Sequence, residues 1–118
     1  MAVERKTSFG TLRVHDEVVA TIVEDAALHT EGIVKMGSRG VREDLSEWLN
    51  KEDRGHGVTV TADGEAVALD IYVAVRYGVQ FNAVGVALVD RINQALEQAL
   101  GFRPSRITVH VEEVVPVD

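Results

Sequence analysis

The sequence has no cysteine, two prolines, one tryptophan and only three lysines. Without cysteine there is no disulfide framework, no thiolate nucleophile and no cysteine-ligated zinc, so zinc-finger chemistry is excluded. Positive charge is also scarce. Twelve Lys and Arg stand against nineteen Asp and Glu, a net charge of −7, which opposes binding to phosphate backbones and anionic lipid headgroups unless basic residues cluster locally. Basic residues are instead scattered singly. Long hydrophobic runs are missing too: the longest stretch free of charge, Tyr77 to Val89, falls short of the ~20 residues a spanning helix needs. The opening, Met1-Ala-Val-Glu-Arg-Lys, carries no apolar secretory core, so translocation is not expected. Any membrane contact should be peripheral or borrowed from a partner.

What is present suits one globular domain: 118 residues, 46% hydrophobic and 26% charged, close to ordinary folded composition. Residues 1–9 are polar and mixed in charge and are expected to fray as a flexible tail. The domain should then span residues 10–115. Leu12 and Val14 alternate with polar neighbours as a short strand. Asp16 suits the cap of a helix over 16–31, with Val19, Ile22, Val23 and Ala26 at helical spacing and Gly32 as its stop. Between the loops Gly37-Ser38-Arg39-Gly40 and Lys51 to Gly55, the residues Val41, Leu45, Trp48 and Leu49 form one helical stripe. That stripe serves either as local core or as an anchor for a partner.

Asp63-Gly64 sits between two alternating apolar runs, as a type I′ hairpin requires. Taking these two as the loop sets Val60 opposite Val67 and Val58 opposite Leu69, with Ile71, Val73 and Val75 continuing the same face. The other face carries Ala68, Asp70, Tyr72, Ala74 and Arg76 and should be wetter. After Tyr77-Gly78, the residues Phe81, Val84, Leu88, Ile92, Ala95, Leu96 and Ala99 trace a second helix over 79–100, ended by Gly101. Ile107, Val109 and Val111 alternate as a last strand. The expected fold is α+β, two-layered, in the order β-α-(α)-β-β-α-β, with an antiparallel or mixed sheet and helices on one face. A ferredoxin-like arrangement is the first topology to compare.

Candidate chemistry is thin. His15, His29, His56 and His110 show no i, i+4 metal pair, and none of Ser8, Ser38, Ser46 or Ser105 sits in a Gly-x-Ser-x-Gly elbow. Adjacent carboxylates, Glu43-Asp44-Glu47 and Glu112-Glu113, read as solvated faces. Gly37-Ser38-Arg39-Gly40 fits a Gly-x-x-Gly nucleic-acid clamp literally, but an acidic segment follows it. No catalytic, cofactor-binding or metal residue is assigned, and an enzyme is not expected. Val86 and Val89 lie off the core stripe of the second helix, and together with Val41, Leu45 and Trp48 they form the candidate partner surface. A homo-oligomer is expected, assembled through these valines or through the exposed edge Ile107 to Val111.

The ordered run Gly57-Val-Thr-Val, then Ala-Leu-Asp-Ile-Tyr-Val-Ala-Val-Arg-Tyr-Gly78, then Ala-Leu-Val-Asp-Arg-Ile-Asn-Gln-Ala-Leu, then Ile-Thr-Val-His-Val111 resembles the alkaline-shock-protein family of bacterial envelope stress response proteins. Gly10-Thr-Leu-Arg-Val14, Asp16-Glu-Val-Val19 and Gly32-Ile33 resemble that family's opening strand and helix. The resemblance implies an abundant cytoplasmic protein gathered at the membrane by a membrane-spanning protein partner, linked to cell-envelope stress and self-associating in some members. It implies no catalytic residue or cofactor. The function expected from both lines is a non-catalytic scaffold or adaptor in envelope stress homeostasis, acting through protein contacts. The rival expectation, of a different class, is an RNA-binding module on an α+β sheet.

Overall fold

The computed structural model describes residues 2–37, 57–64 and 66–116. Its elements are β1 (Ala2–Thr7), β2 (Gly10–His15), α1 (Asp16–Leu28), β3 (Ile33–Met36), β4 (Val58–Asp63), β5 (Ala66–Arg76), α2 (Phe81–Leu100) and β6 (Arg106–Val115). The α+β class with both helices on one sheet face is as expected. The helix expected over 41–51, with Val41, Leu45 and Trp48, lies outside the described residues, as does His56.

β5 is the spine of the sheet. Val67, Leu69, Ile71, Val73 and Val75 alternate along it and are essentially inaccessible. Against them pack Val19, Val23, Ala26 and Ala27 of α1 and Val84, Leu88, Ile92 and Leu96 of α2. The α2 residues recur every fourth position, which keeps them on one side of the helix, and burying each removes enough apolar area to contribute about 1.5–3 kcal/mol. The β-branched residues of α2 do not prevent the helix, because this stripe is satisfied only at helical spacing. Gly101 ends it at φ 77°.

β4 pairs antiparallel to β5, but each residue lies two positions away from its expected partner. Val58 lies opposite Ile71, Val60 opposite Leu69 and Asp63 opposite Ala66, so Asp63 belongs to the strand and the expected loop Asp63-Gly64 is not formed. Gly64 takes a positive φ, 63°, while Asp63 stays in the strand. Keeping Asp63 extended adds the Asp63–Ala66 pair to the ladder. The change moves each pairing by two residues, so side-chain parity survives and the buried face is the expected one.

Three expectations need correction. The expected flexible tail over 1–9 is corrected from Ala2 onward: β1 pairs antiparallel with β2, setting Val3 opposite Val14 and Glu4 opposite Arg13. Val3 is fully buried, and the Arg13 Nε donates to Glu4 at 2.6 Å on the outer side. A single alternating Val–Val pair over the helices holds this hairpin in place, and the Arg5 guanidinium covers the Phe102 ring at 4.5 Å. Because β2 pairs with β1 in its own two-stranded sheet, the ferredoxin-like arrangement is not formed. Finally, Asp16 does not cap α1. His15 holds the N-cap position without a side-chain bond, and Asp16 Oδ1 is buried with no partner; burial pushes the Asp16 carboxyl above its ordinary pKa.

α1 stops at Leu28, leaving room for β3, a strand the loosening pattern after Gly32 did not reveal. β3 and β4 follow one another along the same edge of β5, β3 beside Val73 to Val75 and β4 beside Ala66 to Ile71. The other edge of β5 takes β6 in parallel, and α2 supplies the crossover such a pair requires.

Candidate interaction surface

β6 extends the sheet past the footprint of α2. Ile107 and Val109 still pack against the core, whereas Val111 is 39% exposed. Between β6 and α2 this opens an apolar groove of about 500 Å³, with Val73 and Val75 at its base, Val109 and Val111 on the strand side, and Phe81, Val84, Gly85, Val86 and Val89 on the helix side. Asn82 and Asp90 are its polar members. Gly85 widens it, since a Cβ there would meet nothing within 4 Å.

Val86 and Val89, two of the sequence-derived candidates, therefore share one groove, and Val86 is 64% exposed. Phe81 was expected in the core stripe. It is 49% exposed at the groove mouth instead, because the first turn of α2 overhangs the sheet where Gly78 has just ended β5. Val111 and Gly85 carried no sequence signal for this role: alternation shows that Val111 shares a face with Val109, but not that the helix stops short of it.

The opposite sheet face is open and polar. Tyr72 and His110, neighbours in the parallel register, stack with ring centroids 4.3 Å apart and planes 12° from parallel. The His110 Nε2 lies 3.0 Å from Asp70 Oδ1. Beside them Lys35 and Glu113 approach to 3.5 Å, spanning Ala74, the residue opposite both. Ala74 is consequently only 1% exposed on a face that is otherwise wet.

The remaining histidines of the described residues stand apart from this cluster. His29 Nδ1 is bound to the Asp25 carbonyl at 2.8 Å, and His15 precedes α1. Among the described residues, no three histidines or acids are grouped so as to hold a metal ion. No helix among them is long and apolar enough to cross a membrane. At the far end of α2 the Arg103 guanidinium, donating to both Glu97 oxygens at 3.0 and 3.3 Å, holds the Glu97 carboxyl below its ordinary pKa through hydrogen bonding and charge.

Comparison with known proteins agrees with the resemblance carried by the strands and α2. The chain is 30% identical over 115 residues to the uncharacterized protein YloU of Bacillus subtilis, covering 97% of this chain and 96% of that one. It is 29% identical over 115 residues to the uncharacterized protein Spy1614 of Streptococcus pyogenes serotype M6, covering 97% and 95%. No solved structure matches it significantly. The model of the alkaline-shock-protein family, described as having a cell envelope-related function, matches residues 4–116, a span that includes most of β1 and all of β6, and the chain belongs to that family.

Proposed function

We propose that this protein is a non-catalytic adaptor in cell-envelope stress homeostasis, which acts by holding protein partners, further copies of itself included, and reaches the membrane through a membrane-spanning partner. One observation carries the reading: an apolar groove whose walls include the exposed Phe81, Val86 and Val111 runs beside a strand paired on only one side among the described residues. Exposed apolar walls next to a free edge suit a protein contact, because a bound strand satisfies the edge while its side chains fill the groove. The open face supports the same division of labour. Its His110 and Asp70 are engaged with each other, and Glu112 and Glu113 make the surroundings acidic, which disfavours a phosphate backbone.

Cells lacking the protein, challenged with envelope stress and complemented with variants, test this. Val86→Glu and Val89→Glu are expected to fold yet fail to restore resistance, whereas His110→Ala and Asp70→Asn restore it. The reverse pattern overturns the adaptor reading in favour of chemistry or ligand binding on the open face. Tight, steeply salt-dependent binding of mixed RNA by the purified protein would overturn it in favour of an RNA-binding module.

A further inference from the structure

The groove and the edge of β6 that no described strand pairs with specify an occupant more closely than a generic partner. β6 pairs with β5 residue by residue from Arg106 opposite Ala68 to Val111 opposite Val73; the register then slips, so that Glu113, and not Glu112, faces Ala74. The seven residues from Arg106 to the bulge residue Glu112 keep one alternation, and Val109 is their middle. Strands joined across a two-fold axis must pair a residue with itself at the centre. In an antiparallel pair, directly opposed residues share a face.

We propose that β6 joins β6 of a second copy antiparallel, with Val109 opposite Val109, and that this pairing closes the grooves of both copies. This deepens the adaptor reading and rests on it. In that register Ile107 lies opposite Val111 of the second copy, so the groove-facing side is apolar throughout. On the open side Thr108 lies opposite His110, and Arg106 lies opposite Glu112, two such opposite-charge pairs per dimer. Shifting by two residues spoils the match: one shift sets Arg106 opposite His110, and the other sets His110 opposite itself. The pairing runs from Arg106 to the bulge residue Glu112, the point at which the register of β6 slips. A two-fold axis perpendicular to the sheet keeps both α2 helices on the same side, flanking the seam. Val86 and Phe81 of each copy then help to cover the exposed Val111 residues. Strand pairing alone buries too little for a stable dimer, which needs well over ~1,000 Å² in total; closure of two grooves supplies the remainder.

The absence of cysteine makes the register directly readable. Opposed antiparallel residues have Cα atoms about 4.5–5.5 Å apart, within disulfide reach, so each single-cysteine variant reports one two-fold centre. Full-length Thr108→Cys, Val109→Cys and His110→Cys, verified as folded by circular dichroism, are oxidised under mild conditions and separated without reductant. Val109→Cys is expected to form disulfide dimer at least tenfold faster than the other two, and Val86→Glu in the Val109→Cys background to slow it at least tenfold. Preferential cross-linking of Thr108→Cys or His110→Cys overturns the register, and undiminished cross-linking with Val86→Glu overturns groove closure. A chain that sediments as a monomer throughout the micromolar range, with no cross-linking, overturns the dimer. The adaptor reading fails separately, when groove variants still restore resistance in cells.

Discussion

Gly37 and Gly57 converge on one residue of β5. The Gly37 amide donates to the Tyr72 carbonyl at 2.6 Å, and the Tyr72 amide donates to the Gly57 carbonyl at 2.7 Å. Both groups of an antiparallel strand residue point to the same edge, so Tyr72 receives the end of β3 and the start of β4 at one point. The two strands are thus two lengths of one line along β5, and the chain leaves that line and returns to it at the same place.

Gly57 tests this junction. It has φ 71°, and a Cβ there would lie 2.8 Å from the Tyr72 oxygen and 2.9 Å from the Gly37 oxygen. Gly57→Ala should destabilise the domain by about 2 kcal/mol or more, combining left-handed strain with a backbone clash. Gly101→Ala is the control: it has φ 77° but open space around the added carbon, so it should cost only about 1 kcal/mol. Urea unfolding of both variants checks the difference, and equal losses would mean the crowding at Tyr72 is unimportant.

Substitutions in α2 should separate folding from binding. Gly85→Ala adds a carbon that meets nothing, and it should raise monomer stability by about 1 kcal/mol through helix propensity while narrowing the groove. Leu88→Ala, one turn on and fully buried, should lose about 2–5 kcal/mol. Denaturant midpoints measure both, and destabilisation by Gly85→Ala would show that the groove wall is packed.

Asp16 predicts a pH dependence. Burial raises its carboxyl above the ordinary value of 3.8, so the folded state holds this proton more tightly than the unfolded chain. The sign follows: stability attached to the protonated carboxyl is present in acid and lost as the pH rises through the folded pKa. Asp16→Asn should therefore be more stable than the parent at neutral pH, with the advantage vanishing below about pH 3.8. Thermal unfolding across pH measures it, and an advantage independent of pH would remove burial of the charge as its cause.

The Tyr72–His110 stack should couple energetically. A double-mutant cycle with Tyr72→Ala and His110→Ala is expected to give about 0.5–1.5 kcal/mol of interaction energy, read from unfolding curves. Strict additivity would make the stacked geometry incidental to stability.

The β5 face, the helical stripe of α2, the hairpin at Gly64 and the family resemblance were all legible in the residues. Alternation along Val67, Leu69, Ile71 and Val73 commits those side chains to one face whatever the register, which is why the two-residue difference in pairing left the core unchanged. β1 and β3 were not legible. β3 has only four residues, Ile33-Val34-Lys35-Met36, with no clean alternation, and β1 is mostly polar; the place of β3 depends on a partner strand distant in sequence and that of β1 on a single Val3–Val14 match.

The candidate surface divides in the same way. Periodicity by itself determined that Val86 and Val89 lie off the buried stripe of α2, because helical spacing is a local property. Only the tertiary structure decided that these valines face Val109 and Val111 across a groove, that Phe81 belongs to its mouth, and that β6 runs parallel to β5 with its outer edge unpaired among the described residues. The reason is physical: side-chain alternation assigns a residue to a face, but any extended backbone can hydrogen-bond to any other. Which edges meet, and which stay open, is settled by how far the helices reach across the sheet.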